Sequence, residues 1–240
     1  MFSALVLDTK DGDVQARVRQ LEEHGLPDAG PEEVRLDVLY SSLNYKDGLA
    51  VTGIGQVIRG DYPIVPGIDL VGRVRGSDHA AFEAGDLVIG TGWQLGEVVW
   101  GGYTQRAKVD GNKLVHLPDD LSPAQAMLIG TAGFTAMLSV MALEEHDVLP
   151  DDGEVVVTGA SGGAGSFAVA LLDALGYDVV ASTGSDDAHE YLRTLGADRI
   201  VHRREFEDGP SRPMESGRWA GAIDAVGGDT LASLIAQLQR

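Results

Sequence analysis

The segment Val155–Ala170, VVVTGASGGAGSFAVA, decides how this chain is read. Three consecutive valines are a short strand buried on both faces, as parallel sheets require. A glycine-rich turn follows, and then small apolar residues with helical spacing. Ala160–Gly165 fits the pattern G-x-G-x-x-G with alanine in the first place. In that pattern Gly162 lets the backbone approach a pyrophosphate, and Gly165 permits close packing of helix on strand. Ser161, Gly163 and Ala164 complete the turn. The helix that opens there presents free N–H groups and its positive dipole end to phosphates. A lone glycine motif is weak evidence, but this one sits between a buried strand and an apolar helix. The segment predicts a dinucleotide site.

The next strand refines the ligand. It reads Asp178–Ser182 and runs out through Thr183, Gly184 and Ser185. A site for NAD places Asp or Glu at the tip of this strand to hold the ribose 2′-hydroxyl. Here the tip is Ser182-Thr183-Gly184-Ser185, with no acid and with room for a 2′-phosphate, so NADPH is the predicted cofactor. Asp186 and Asp187 follow immediately and weigh the other way. Arg199, at the start of the third strand, is a candidate partner of the 2′-phosphate or an ordinary surface arginine.

Working outward, strands and helices alternate to the end of the chain. The spacing predicts strand Glu154–Thr158, helix Gly165–Leu175, strand Asp178–Ser182 and helix Asp187–Leu195. It then predicts strands Arg199–His202 and Gly221–Val226, and helix Thr230–Gln239. Such alternation builds a parallel sheet with right-handed crossovers. Four strands are counted where a doubly wound dinucleotide domain usually has six, so the sheet is expected to be incomplete. Upstream, Ser122-Pro123 is a helix start. Helical spacing runs over Ala124–Ile129 and Phe134–Glu145, with a break at Gly130–Gly133. Residues 1–118 instead show short β-rich runs at Ala4–Leu7, Val34–Tyr40, Leu70–Val74, Leu87–Gly90, Tyr103–Val109 and Lys113–His116. Turn signals such as Asp11-Gly12 separate them.

Composition bounds the function. The 240 residues contain no cysteine, which excludes thiolate zinc sites and cysteine nucleophiles. Against 37 acids stand 18 bases, a formal charge of −19, which argues against a nucleic-acid partner. The acids are spread along the chain, as on a hydrated surface suited to a salt-rich cytoplasm. At ~1 M salt the Debye length falls to ~3 Å and repulsion of an anionic cofactor is screened. No apolar run approaches the ~20 residues of a membrane span. The N-terminus lacks the basic start of a secretory signal. A cytoplasmic protein with no membrane partner is expected.

The chain resembles the medium-chain dehydrogenase/reductases, in their zinc-free quinone-oxidoreductase branch of YhdH/YhfP type, which includes acrylyl-CoA reductases. The matching segments include Ser41–Asp47 (SSLNYKD), Pro66–Gly72 (PGIDLVG), Thr91–Trp93, Trp100–Gly102, Ile129–Met137 (IGTAGFTAM), His189–Leu192 and Trp219–Asp224. They run along nearly the whole chain. The resemblance implies an α/β chain: a GroES-like β domain over 1–120, then a Rossmann domain over 121–240 lacking its last strands. In relatives the chain continues through those strands and returns to the first domain, so either a C-terminally shortened form is expected or the remaining part lies outside this sequence.

Zinc-dependent relatives supply Cys and His-Glu ligands where this chain has Asn44–Asp47 and Ile68-Asp69, so no metal is expected. The resemblance implies reduction of an activated C=C bond, with an enoyl thioester such as acrylyl-CoA as substrate. A quinone or enone reductase and a non-catalytic NADPH-binding protein are the alternatives. Tyr45 is placed against the nicotinamide, where it can stack, donate a hydrogen bond or deliver a proton. Asn44 can polarise the substrate carbonyl or bridge backbone groups. Lys46 and Asp47 are read as a local pair, Thr131 as bordering the cleft, and Arg59 as a candidate for thioester phosphates. A homodimer is implied.

Overall fold

The computed structural model describes residues 1–239. The chain forms two compact units, Met1–Thr131 and Ala132–Arg240.

The first unit opens with a hairpin of β1 (Phe2–Lys10) and β2 (Asp13–Leu21), joined by Asp11 and Gly12, both at positive φ. Two positive-φ residues match the right-handed twist of paired strands, which explains the Asp-Gly turn. Strand β2 was not foreseen. Its sequence, DVQARVRQL, is polar and largely exposed, so it carries no buried alternation to read.

A five-stranded antiparallel sheet follows. It uses β3 (Glu33–Tyr40), β4 (Asp69–Ser77), β5 (Leu87–Thr91), β6 (Arg106–Asp110) and β7 (Val115–His116), ordered β6-β3-β4-β5-β7. Val34, Leu36, Leu70, Val74, Val88 and Val109 supply its core. Between β3 and β4 lies a short helix, α1 (Tyr45–Thr52).

Helix α2 (Pro123–Glu145) begins where Ser122-Pro123 predicts. Ser122 and Gln125 close a capping box: Gln125 N–H donates to Ser122 Oγ at 3.3 Å, and Ser122 N–H to Gln125 Oε1 at 2.9 Å. The break falls at Gly130 alone, with φ 46° and ψ −154°. The sequence places the domain division at 120/121. The first unit runs on to Thr131 because Ala126 and Met127 pack on Val71. With 23 residues and mean hydropathy 1.8, α2 is long and apolar enough to cross a membrane by length and composition. This corrects the expectation that no segment reaches that length. Small residues between Leu, Ile and Met break the apolar run in the letters while hydropathy stays high. Ala126, Met127, Ala136 and Val140 of this helix are core residues.

The second unit holds four parallel strands, β8 (Val155–Val157), β9 (Val179–Thr183), β10 (Arg199–His202) and β11 (Gly221–Ile223), ordered β10-β9-β8-β11. That is the 3-2-1-4 order of a doubly wound dinucleotide sheet. Both β8 and β9 are buried along their whole length, as the Val-rich runs require. Helices α3 (Gly163–Ala174) and α4 (His189–Thr194) make crossovers, and α5 (Gly228–Gln237) follows β11. Each lies within a few residues of its predicted bounds, except that Asp186–Ala188 is a 3-10 turn ahead of α4. Trp219 is fully buried and packs on Phe206, 6.3 Å between ring centroids.

Candidate cofactor and active site

In the second unit the glycine turn is built as the spacing predicts. Thr158 follows β8, and its hydroxyl bonds to the carboxylate of Asp224 beyond β11. The chain then turns through Gly159 at φ 58°. Gly162 caps α3, and Ser161, Gly162 and Gly163 are exposed. The first-turn amides of Gly163, Ala164 and Gly165 have no carbonyl within the helix to bond, so they remain available to phosphate oxygens. At Gly165 an added β-carbon would lie 2.7 Å from Ala160 Cα. Only glycine allows α3 to lie this close to the turn.

Beside the turn is a cleft of about 210 Å³, lined among others by Ser161, Ser182, Thr183, Gly184, Arg203 and Glu207. The hydroxyls of Ser161 and Thr183 are 3.2 Å apart. Ser185 stands just outside, its N–H donating to Thr183 Oγ1 at 3.2 Å. Asp186 points to solvent beside His189, 3.8 Å away, and does not line the cleft. The features that would cradle a phosphorylated dinucleotide therefore fit: bare glycines, free helix amides, hydroxyls and a guanidinium.

Arg199 is not that guanidinium. It forms a bidentate pair with Glu154 at 3.0 and 2.7 Å and lies over Trp219, 5.5 Å from the ring centroid. The reason is strand direction. Arg199 opens β10, whereas ligands of doubly wound sheets gather at the carboxyl ends of the strands. Arg203, immediately after the last residue of β10, lies at that end. The sequence reading missed it, although its position after the third strand was the available signal. Gly184 makes room for it: a β-carbon there would fall 2.6 Å from Arg203 Cδ and Nε.

In the first unit the candidate residues gather at the start of α1. Asp69, first residue of β4, is fully buried. Its carboxylate accepts from Asn44 Nδ2 (2.9 Å), the Ser42 hydroxyl, Thr131 N–H (3.0 Å) and the Thr131 hydroxyl (2.6 Å). Asn44 Nδ2 also donates to Ser42 Oγ at 2.8 Å, so both its amide hydrogens are committed inside the protein. Of its two expected roles this is the bridging one. Gly130 is required beside it, because a β-carbon would lie 2.9 Å from Asp69 Oδ2.

The expected Lys46–Asp47 pair does not form. Asp47 turns inward and accepts the N–H groups of Asn44 (2.8 Å) and Ile68 (3.2 Å). Burial pushes its carboxyl above the ordinary value despite those bonds. Burial, with the nearby Asp47 charge, likewise pushes the Tyr103 phenol far up. Lys46 instead reaches Glu97 at 2.7 Å, and Arg59 bonds the other oxygen of the same carboxylate. Burial works against charge on Glu97, yet the two cations hold it below the usual carboxylate range. Tyr45 is 85% exposed. A larger cleft of about 440 Å³ in this unit, beside Tyr62 and Trp100, contains none of these residues. Among the described residues no three His, Asp or Glu side chains converge as a metal site.

Residues 30–119 match the family model of the alcohol dehydrogenase GroES-like domain. The chain is 54% identical to the probable acrylyl-CoA reductase AcuI of Escherichia coli, over 99% of this chain and 71% of that protein. The chain belongs to the medium-chain dehydrogenase/reductase family. It joins the YhdH/YhfP branch of that family, as its sequence segments indicated. The YhdH oxidoreductase of Salmonella enterica, solved in complex with NADP, superposes with a TM-score of 0.94 at 55% identity, covering 98% of this chain and 71% of that one. The putative quinone oxidoreductase YhfP of Bacillus subtilis is 44% identical over 100% of this chain and 71% of its own length. Its structure with NAD bound has a TM-score of 0.93. The architecture of a GroES-like part and a parallel Rossmann-type sheet is that of this medium-chain family.

Proposed function

We propose that this chain is an NADPH-dependent reductase of activated C=C bonds, with an enoyl-CoA thioester such as acrylyl-CoA as substrate. The observation that carries the reading is the glycine turn opening beside Ser182, Thr183, Gly184 and Arg203, a hydroxyl-lined pocket in which a guanidinium is available to a phosphate. It occurs in a chain 54% identical to a probable acrylyl-CoA reductase.

In this reading the amides of Gly163, Ala164 and Gly165 hold the pyrophosphate, and Arg203 with the Ser182 and Thr183 hydroxyls holds the 2′-phosphate. When bound, NADPH supplies the hydride, which goes to the β-carbon of the substrate. The C=C electron pair shifts toward the thioester carbonyl, and a proton must reach the α-carbon. Asn44 has no free amide hydrogen for that carbonyl, so we assign it to positioning the start of α1. The exposed phenol of Tyr45 remains the candidate proton donor. The reading extends to a homodimer in a salt-rich cytoplasm, where the acidic surface is screened.

NADPH oxidation in molar KCl, followed with acrylyl-CoA, crotonyl-CoA and a panel of quinones, tests the reading. Turnover of the enoyl thioesters supports it. Preference for quinones would favour the second reading, which the YhfP relative suggests. NADPH binding with no turnover would overturn the catalytic assignment.

A further inference from the structure

Arg203 does not stand alone in the cofactor cleft. Its Nε lies 2.9 Å from Glu207 Oε1, one helical turn onward, and both side chains line the same 210 Å³ space. They are the one cation and the one anion among the described residues of that lining. The backbone that carries them is anchored. Between them, Phe206 is fully buried against Trp219, and its carbonyl accepts the Ser233 hydroxyl at 3.1 Å. Arg203 lies across the bare Cα of Gly184. The neighbouring acid, Glu205, is taken by Arg218 at 3.2 Å. Glu207 is thus the carboxylate placed to answer Arg203.

We propose that Glu207 is the cofactor-selectivity residue of this site, an inference that rests on the cofactor reading above. Strand β9 ends in Ser182 and Thr183 and runs out into Gly184, so the acid that would accept a ribose 2′-hydroxyl is missing there. Glu207 returns one to the cleft from beyond the third strand. Toward a 2′-phosphate it is a competitor, since the phosphate must take Arg203 from a carboxylate and then lie beside that charge. Toward a free 2′-hydroxyl it is an acceptor, with Arg203 neutralised. The pair lowers the preference for NADPH that Arg203 alone would confer.

The test is equilibrium binding, by calorimetry at low salt, of adenosine 2′,5′-bisphosphate and of 5′-AMP, which differ only in the 2′-phosphate. Because exposed ion pairs are weak, Glu207→Gln should bind the bisphosphate only about fivefold more tightly, with no tightening of 5′-AMP. Glu207→Lys should widen that gap further. Equal changes for both ligands, or no change in either, would overturn the selector role while leaving the cofactor site intact. If the unmodified chain binds neither ligand, the cofactor reading itself fails and the inference falls with it.

Discussion

Thr131 gives both its hydroxyl and its amide hydrogen to the carboxylate of Asp69, at 2.6 and 3.0 Å, and so fastens the bend of α2 to the first residue of β4. With Ser42 and Asn44 also donating, one buried charge organises three segments of chain. Replacing Asp69 by Asn puts an NH₂ group among donors. Asp69→Asn should cost about 3 kcal/mol, the order found when a buried charged hydrogen-bond acceptor is removed. Chemical denaturation of both proteins in the same salt would measure it, and a loss within ±0.5 kcal/mol would show that the network contributes little.

Gly165→Ala places a methyl group against Ala160 Cα and the Gly159 backbone. Helix α3 must shift away from the turn. We expect about 2 kcal/mol of destabilisation, typical of overpacking, together with weaker NADPH binding. Thermal melts with and without NADPH would separate the two effects.

Arg199, which opens the third strand, and Arg203, which follows it, should behave differently. Arg203→Ala should weaken NADPH about tenfold or more while changing NADH little, as loss of a charge-assisted phosphate contact predicts. Arg199→Ala should leave cofactor affinity as it is and lower stability, because it strips Glu154 of its bidentate partner. Fluorescence titration with both nucleotides would reveal a reversed pattern if the strand-end argument were mistaken.

Tyr45→Phe removes one oxygen from an exposed side chain. If that phenol delivers the proton, turnover of the enoyl thioester should fall about a hundredfold, within the range for general acids. The KM for NADPH should stay nearly constant. Steady-state kinetics with unchanged turnover would remove Tyr45 from the chemistry.

Glu97 and Asp47 predict opposite responses to pH. Glu97 is held below its unfolded value by Lys46 and Arg59, so its contribution is full above that value. The contribution is lost as pH falls through the lowered native value. Asp47 is raised by burial, so stability falls as pH rises from its unfolded value through the raised native one. Denaturation midpoints of Glu97→Gln should therefore lie furthest below those of the unmodified protein near neutrality. They should converge with them in acid.

The sequence by itself determined the second unit to a large degree. Val155–Val157, the bare turn to Gly165 and the apolar start of α3 are local signals, written in burial period and backbone freedom. The strand bounds Arg199–His202 and the capped start of α2 at Ser122-Pro123 are equally local. Strand β2 escaped because an exposed polar strand writes no such period.

The tertiary structure decided which side chains meet. Asp69 and Thr131 are 62 residues apart, and Lys46 and Glu97 are 51 apart. No spacing rule joins them. Lys46 and Asp47 are adjacent in sequence yet point to different partners, because α1 buries one and exposes the other. Arg199 opens the third strand and Arg203 follows it, and only the direction of β10 in the sheet tells which reaches the ligand end. Local pattern fixes where the backbone turns. The pairing of charges depends on which distant segments the folded sheet brings together, and this chain's chemistry rests on those pairings.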